Sequence, residues 1–151
     1  MSRARFLLLS AALLAALAAP SFAGGIDPVL DDPILHWKDD AKVDCKSAES
    51  TYEMDVCAGR ALKAVYLPMV ALYNKLYAQY DAPNKKLLQA SQRAWRDYER
   101  AECSFETNRT VGGTINPVMV TDCVTDLTKQ RLARLKAQAD CEEGDLSCNH
   151  P

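Results

Sequence analysis

The chain has 151 residues, 48% of them hydrophobic and 25% charged, with six cysteines and a formal net charge of −2. That length suits one ordinary domain, and the composition is too apolar for disorder and too poor in Gly and Pro for a fibre. The near-neutral balance excludes a general nucleic-acid binder, which needs a clear basic excess.

Arg3 and Arg5 precede an apolar run from Phe6 to Ala19, Pro20 breaks it, and Ser21-Phe22-Ala23 places small residues beside a cleavage point. This is the layout of a signal peptide over residues 1–23, cut after Ala23. The run is shorter than the ~20 apolar residues that span a bilayer. The expected mature chain is periplasmic or secreted, with no membrane anchor. It keeps all six cysteines, and 16 basic residues then face 20 acidic ones, for a net charge of −4. An even cysteine count in an oxidising compartment predicts disulfides. Zinc would want paired C-x2-C or H-x3-H spacing, which is missing, and only His36 and His150 are present. No metal or cofactor is expected.

Residues 24–50 carry Pro28, Pro33 and two Asp-Asp pairs, and read as an irregular acidic arm. From Thr51, a candidate cap, Met54, Ala58, Ala61, Val65, Met69, Leu72, Leu76 and Tyr80 recur as one helix face does. Pro68 lies inside that pattern, where a kink or break is expected. Asp81-Ala82-Pro83-Asn84 is a turn with capping residues. A second helix follows, with Leu88, Ser91, Trp95, Tyr98, Glu102 and Phe105 on its apolar face. Residues 108–117 contain Gly112-Gly113 and read as a loop. A third helix runs from Pro117 to about Ala139 with the stripe Val120, Val124 or Cys123, Leu127, Arg131 and Leu135. Residues 140–151 form a polar tail outside the helical domain of residues 51–139. No strand-like alternation of useful length occurs. The predicted fold is all-α: a small antiparallel bundle of three helices, or four if Pro68 splits the first, stapled by disulfides.

Six cysteines allow fifteen connectivities. Helix geometry favours sequential pairing: Cys45 with Cys57 tying arm to bundle, Cys103 with Cys123 clamping the Gly-Gly loop, and Cys141 with Cys148 closing a tail loop. Charge divides along the mature chain into −6 over residues 24–57, +5 over 58–140 and −3 over 141–151. Two readings stay open, acidic ends folded against a basic core or an acidic surface for a cationic protein.

Catalytic constellations are scarce: no G-x-S-x-G turn, no phosphate loop and no H-E-x-x-H. Glu99 with Glu102, and Asp122 with Asp126, read as solvated helix faces. Trp95 is the predicted core anchor. Arg131 falls between Leu127 and Leu135 on the buried face and needs a partner there; Glu102 is the candidate, and a guanidinium facing a ligand pocket is the alternative.

In combination, several segments resemble one family. They are Met54-Asp55-Val56-Cys57-Ala58, the run from Ser91 through Trp95 to Ala101-Glu102-Cys103, Gly112-Gly113-Thr114-Ile115, and Cys123-Val124-Thr125-Asp126-Leu127-Thr128-Lys129-Gln130-Arg131-Leu132. Together they are similar to the lysozyme inhibitor LprI family over about Cys45 to Leu135. This chain differs in Tyr98-Glu99-Arg100, where relatives often carry an aromatic-Arg-Asp run, in the Cys141–Cys148 tail, and in lacking a lipobox cysteine. The resemblance implies an exported envelope protein that binds and inhibits a lysozyme-type muramidase; the expected mechanism is occlusion of the enzyme's cleft, and the missing catalytic constellation argues against an enzyme. The residues expected at that interface are Gly112, Gly113, Thr114, Asp31, Asp32, Asp39 and Asp40. The alternative is a non-inhibitory periplasmic interaction or structural module.

Overall fold

A computed structural model describes residues 30–142 and 144–149. The proposed signal peptide, the first residues of the arm and His150 lie outside this range. All regular structure among the described residues is helical: α1 (Pro33–His36), α2 (Thr51–Gln79), α3 (Ala82–Glu106), a 3-10 turn (Asn108–Thr110) and α4 (Asn116–Ala139).

Each boundary has a local cause. Ser50, one residue before the expected cap, starts α2 with a capping box: its hydroxyl accepts from Glu53 N at 3.2 Å, and Glu53 Oε2 accepts from Ser50 N at 2.9 Å. Asp81 caps α3 by accepting from Asn84 N at 2.9 Å, with Pro83 in the first turn. Pro117 sits in the first turn of α4. Pro68 does not split α2, which runs unbroken for 29 residues. The fourth helix is the single turn α1 in the arm, which therefore is not wholly irregular.

The three long helices run up, down and up, and α2 packs most closely along α4. α2 is apolar and long enough to cross a membrane by composition. Its apolar residues are instead the core: Tyr66, Met69 and Tyr73 are fully buried, with Leu62, Leu76 and Tyr80 around them and Leu135 from α4 opposite. The buried face of α2 thus keeps Ala58, Met69, Leu76 and Tyr80 of the predicted stripe, while Leu62, Tyr66 and Tyr73 replace Ala61, Val65 and Leu72. The arm closes this core. Leu30 and Ile34 are buried in it, and the Tyr66 hydroxyl donates to the Leu30 carbonyl at 2.8 Å.

α3 turns its polar side inward. Gln92, Glu99 and Cys103 are buried, whereas Tyr98 and Phe105, both on the predicted apolar face, are exposed. Trp95 is only partly buried against the core, whose anchors are on α2. The burial phase is displaced by about one residue because Gln92 and Glu99 find hydrogen-bonding partners inside, so their burial is tolerated.

Trp37, just after α1, lies against α2 at Gly59. A Cβ at Gly59 would come within 2.8 Å of two Trp37 ring atoms. Alanine in place of a helical glycine gains about 1 kcal/mol of propensity, but overpacking costs about 1–3 kcal/mol. Gly59→Ala is therefore expected to lower the melting temperature, with a change in Trp37 fluorescence. A more stable variant would show that Trp37 is not seated there.

Candidate functional site

The up-down-up course brings the starts of α2 and α4 and the end of α3 to one end of the bundle. Two disulfides clamp that end. Cys45–Cys57 joins arm to α2 with the Cα atoms 5.6 Å apart, and Cys103–Cys123 joins α3 to α4 at 5.7 Å. Each contributes roughly 2–4 kcal/mol by restricting the unfolded chain. The loop between α3 and α4 holds itself in shape. Gly113 N donates to Thr110 O at 2.9 Å, and Asn116 Nδ2 donates to Thr110 Oγ1 at 2.9 Å. Gly112 has φ +81°, a conformation that glycine adopts without strain. Gly112, Gly113 and Thr114 all face solvent. So do two apolar residues that precede it, Phe105 at 79% and Val111 at 70% exposure.

The four arm aspartates do not form one surface cluster. Asp31 pairs with His36 at 3.1 Å and remains exposed. Asp39 accepts from Arg60 Nε at 2.8 Å. Asp40 accepts from the Tyr52 hydroxyl at 2.8 Å, which holds its carboxyl below the ordinary range. Arg60 also donates to the carbonyls of Val43 and Asp40, so it fixes the arm backbone from α2. Asp32 turns inward and belongs to the interior. The self-neutralising reading of the charge pattern thus holds for much of the arm.

Asp32 meets Arg96 of α3 with an N–O separation of 2.5 Å, and Arg96 donates through Nη1 to Glu99 Oε2 at 2.9 Å. The Arg96 guanidinium lies 6.0 Å from the Tyr66 ring centroid. One cation therefore serves two carboxylates, all largely buried. Glu99 is 2% exposed, and its Oε1 has no hydrogen-bond partner. Burial outweighs the Arg96 charge and pushes its carboxyl up to about 7. These groups line a groove of about 420 Å³ between arm and bundle, with Ile34, Trp37, Leu62 and Val124 among its apolar walls. Sequence reasoning missed Arg96, Asp32 and Glu99 as a unit.

Arg131 does not meet Glu102. Its Nε donates to Gln92 Oε1 at 2.9 Å and its Nη2 to Ser91 Oγ at 3.0 Å, so two neutral acceptors on α3 hold it. Burial without a carboxylate pushes the guanidinium down from its ordinary value. With Arg134 it lines a cleft of about 250 Å³ at the opposite end of the bundle. Asn149 of the tail walls that cleft, donating through its backbone N to Gln138 Oε1 at 3.1 Å and through Nδ2 to Asn84 Oδ1 at 2.9 Å. Cys141, Asp145 and Cys148 approach one another in the tail as metal ligands would, but the two sulfurs are bonded to each other and offer no thiolate.

Fold and site together describe a small all-helical domain, clamped by disulfides, with an apolar loop end and an acidic groove beside it. The chain belongs to the lysozyme inhibitor LprI family, whose sequence profile matches residues 43–135, more than half its length. It is also 27% identical over 113 residues to an uncharacterized protein of Rhizobium meliloti (strain 1021), covering 66% of this chain and 81% of that one. No solved structure matches it.

The Glu99 shift has a stability consequence. The folded chain holds a proton that the unfolded chain releases above its ordinary value of 4.5, up to about 7. Stability contributed by this group therefore falls as pH rises through that window and is level above it. Glu99→Gln should match the native chain near pH 4 and exceed it by roughly 1–3 kcal/mol at pH 8. Urea denaturation at both pH values checks this, and a variant weaker than the native chain at pH 8 would contradict it.

Proposed function

We infer that the protein is exported to the envelope and there binds and inhibits a lysozyme-type muramidase by covering its active-site cleft. Family membership supports the activity and the partner. The single structural observation that carries the choice of face is the exposure of Phe105 and Val111 beside a loop held by Cys103–Cys123. Large apolar side chains on a rigid support lose little conformational freedom on binding, and buried aromatic anchors dominate interface energies. The Gly112–Thr114 loop, directly after Val111, offers exposed backbone groups beside it. Glycoside hydrolysis of this class depends on two carboxylates flanking the bond to be cut, so filling the cleft between them is sufficient to stop it.

The arm also contributes charge. Asp31 and Asp39 face solvent on the arm and Asp40 is hydrogen-bonded by the neutral Tyr52 hydroxyl, and their field would speed encounter with a cationic enzyme. Asp32, committed to Arg96, drops out of the interface set. The Arg131 cleft lies at the other end and takes no part.

Cell-wall lysis by several lysozymes, with and without the oxidised mature protein, tests the activity, and protection is expected against at least one. In that assay Phe105→Asp combined with Val111→Asp should weaken inhibition by about tenfold or more. Its melting temperature should stay near the native value, because exposed substitutions change stability by only about 0.5 kcal/mol. Undiminished inhibition by the double variant would move the interface elsewhere. Lack of protection against every lysozyme class would remove the function.

A further inference from the structure

The acidic groove beside the loop end is short of a cation. Asp32 from the arm and Glu99 from α3 share the one guanidinium of Arg96. Asp55 from α2 adds a third carboxylate to the lining and has no ion pair among the described residues. Arg100, at the rim, is taken by Asp97. Lys63, about two turns further along α2 than Asp55, donates to the Trp37 carbonyl at 3.2 Å and lies 5.8 Å from its ring centroid. α4 brings only Val120, Thr121 and Val124. Two carboxylates on one guanidinium leave a net negative charge where little water reaches. A buried carboxylate oxygen without a donor, Glu99 Oε1, marks where the charge is least satisfied.

The walls specify the rest of the ligand. Ile34, Trp37, Leu62, Val120 and Val124 would receive an alkyl stem, and a volume of about 420 Å³ lies within the range of small-ligand sites. We propose that this groove is a receptor for a basic side chain, a guanidinium or ammonium on an apolar stem, presented by the protein that docks on this end of the bundle. The inference deepens the proposed function and rests on it for the identity of that protein; the groove's chemistry stands on the residues above. The incoming cation completes the cluster as a second donor, placed against Glu99 Oε1, while Arg96 keeps Asp32 and Glu99 Oε2.

A proton takes the same place when no cation is bound, which accords with the Glu99 carboxyl being pushed up to about 7. Burial, Arg96, Asp32 and Arg100 set this balance; Tyr66 and Asp55 of α2 stand beside the cluster, and α4 presents no charged group to the groove. Cation and proton therefore compete, and affinity should rise by up to about tenfold between pH 6 and pH 8 as Glu99 ionises.

The test uses the oxidised mature chain and n-butylguanidinium, followed by NMR shifts of the Trp37 indole N–H and the Val120 and Val124 methyl groups. Saturable shifts are expected at pH 8, weaker at pH 6, with n-butanol binding at least about tenfold more weakly because it lacks the charge. Glu99→Gln should abolish both the preference for the cation and its pH dependence. Val120→Trp, which fills the groove from α4 and leaves every residue of the ion cluster unchanged, should block the probe and gives a test independent of the Glu99 variant. Equal binding of n-butanol and n-butylguanidinium, shifts unaffected by either variant, or no saturable shift at pH 8 would overturn the proposal. None of these readings involves lysozyme, so failure here leaves the lysis assay intact, and failure of that assay leaves the groove's affinity for the probe intact.

Discussion

One guanidinium holds this molecule's parts in register. Arg96 reaches from α3 to Asp32 on the arm and to Glu99 one turn along its own helix, under the ring of Tyr66. Breaking a buried pair leaves an uncompensated charge, at a cost of about 3–5 kcal/mol, so the arm cannot lift away without exposing or stranding Asp32. With the arm in place, Leu30 and Ile34 close the core over Tyr66, and Trp37 settles on Gly59. The groove exists because the arm is docked: its walls come from α1, α2, α3 and α4 together. Cys45–Cys57 and Arg60 secure the far end of the arm. The arm is therefore part of the domain's interior.

The helices were legible in the sequence because a 3.6-residue period survives local substitutions, and because Asp81, Pro83 and Pro117 punctuate it. The phase of α3 was not legible. Ranking by apolarity selects Trp95, Tyr98 and Phe105, but burial of Gln92 and Glu99 depends on Arg131 and Arg96, whose positions in space no linear pattern supplies. The same blindness assigned Arg131 to Glu102: both face inward by period, yet the guanidinium meets Gln92 and Ser91. Asp32 was read as a surface acid because its neighbours Asp31, Asp39 and Asp40 are. The Gly112–Thr114 loop was easier to place, since a glycine pair between two helices must turn.

The two ends of the bundle do different things. The disulfide-clamped end carries exposed Phe105 and Val111, the loop and the acidic groove, all within or beside the span matched by the LprI family. The opposite end is shaped by the tail beyond that span, through Asn149 on Gln138 and Asn84. Exposed Phe105 and Val111 have no evident structural use, while the buried charges nearby keep the arm closed and the groove open. The groove is lined by residues that also hold the fold together, Asp32, Arg96, Ile34, Trp37 and Leu62, and Glu99 among them is left half-satisfied.

The dependence of the whole on the Arg96–Asp32 contact is most directly measured by a double-mutant cycle. Asp32→Asn, Arg96→Gln and the double variant would be compared with the native chain by urea denaturation at pH 8. A coupling free energy of about 1–3 kcal/mol is predicted, as for groups in one buried network. A coupling near zero, as many exposed ion pairs give, would mean that the arm is held by its other contacts without this ion pair and would contradict the account.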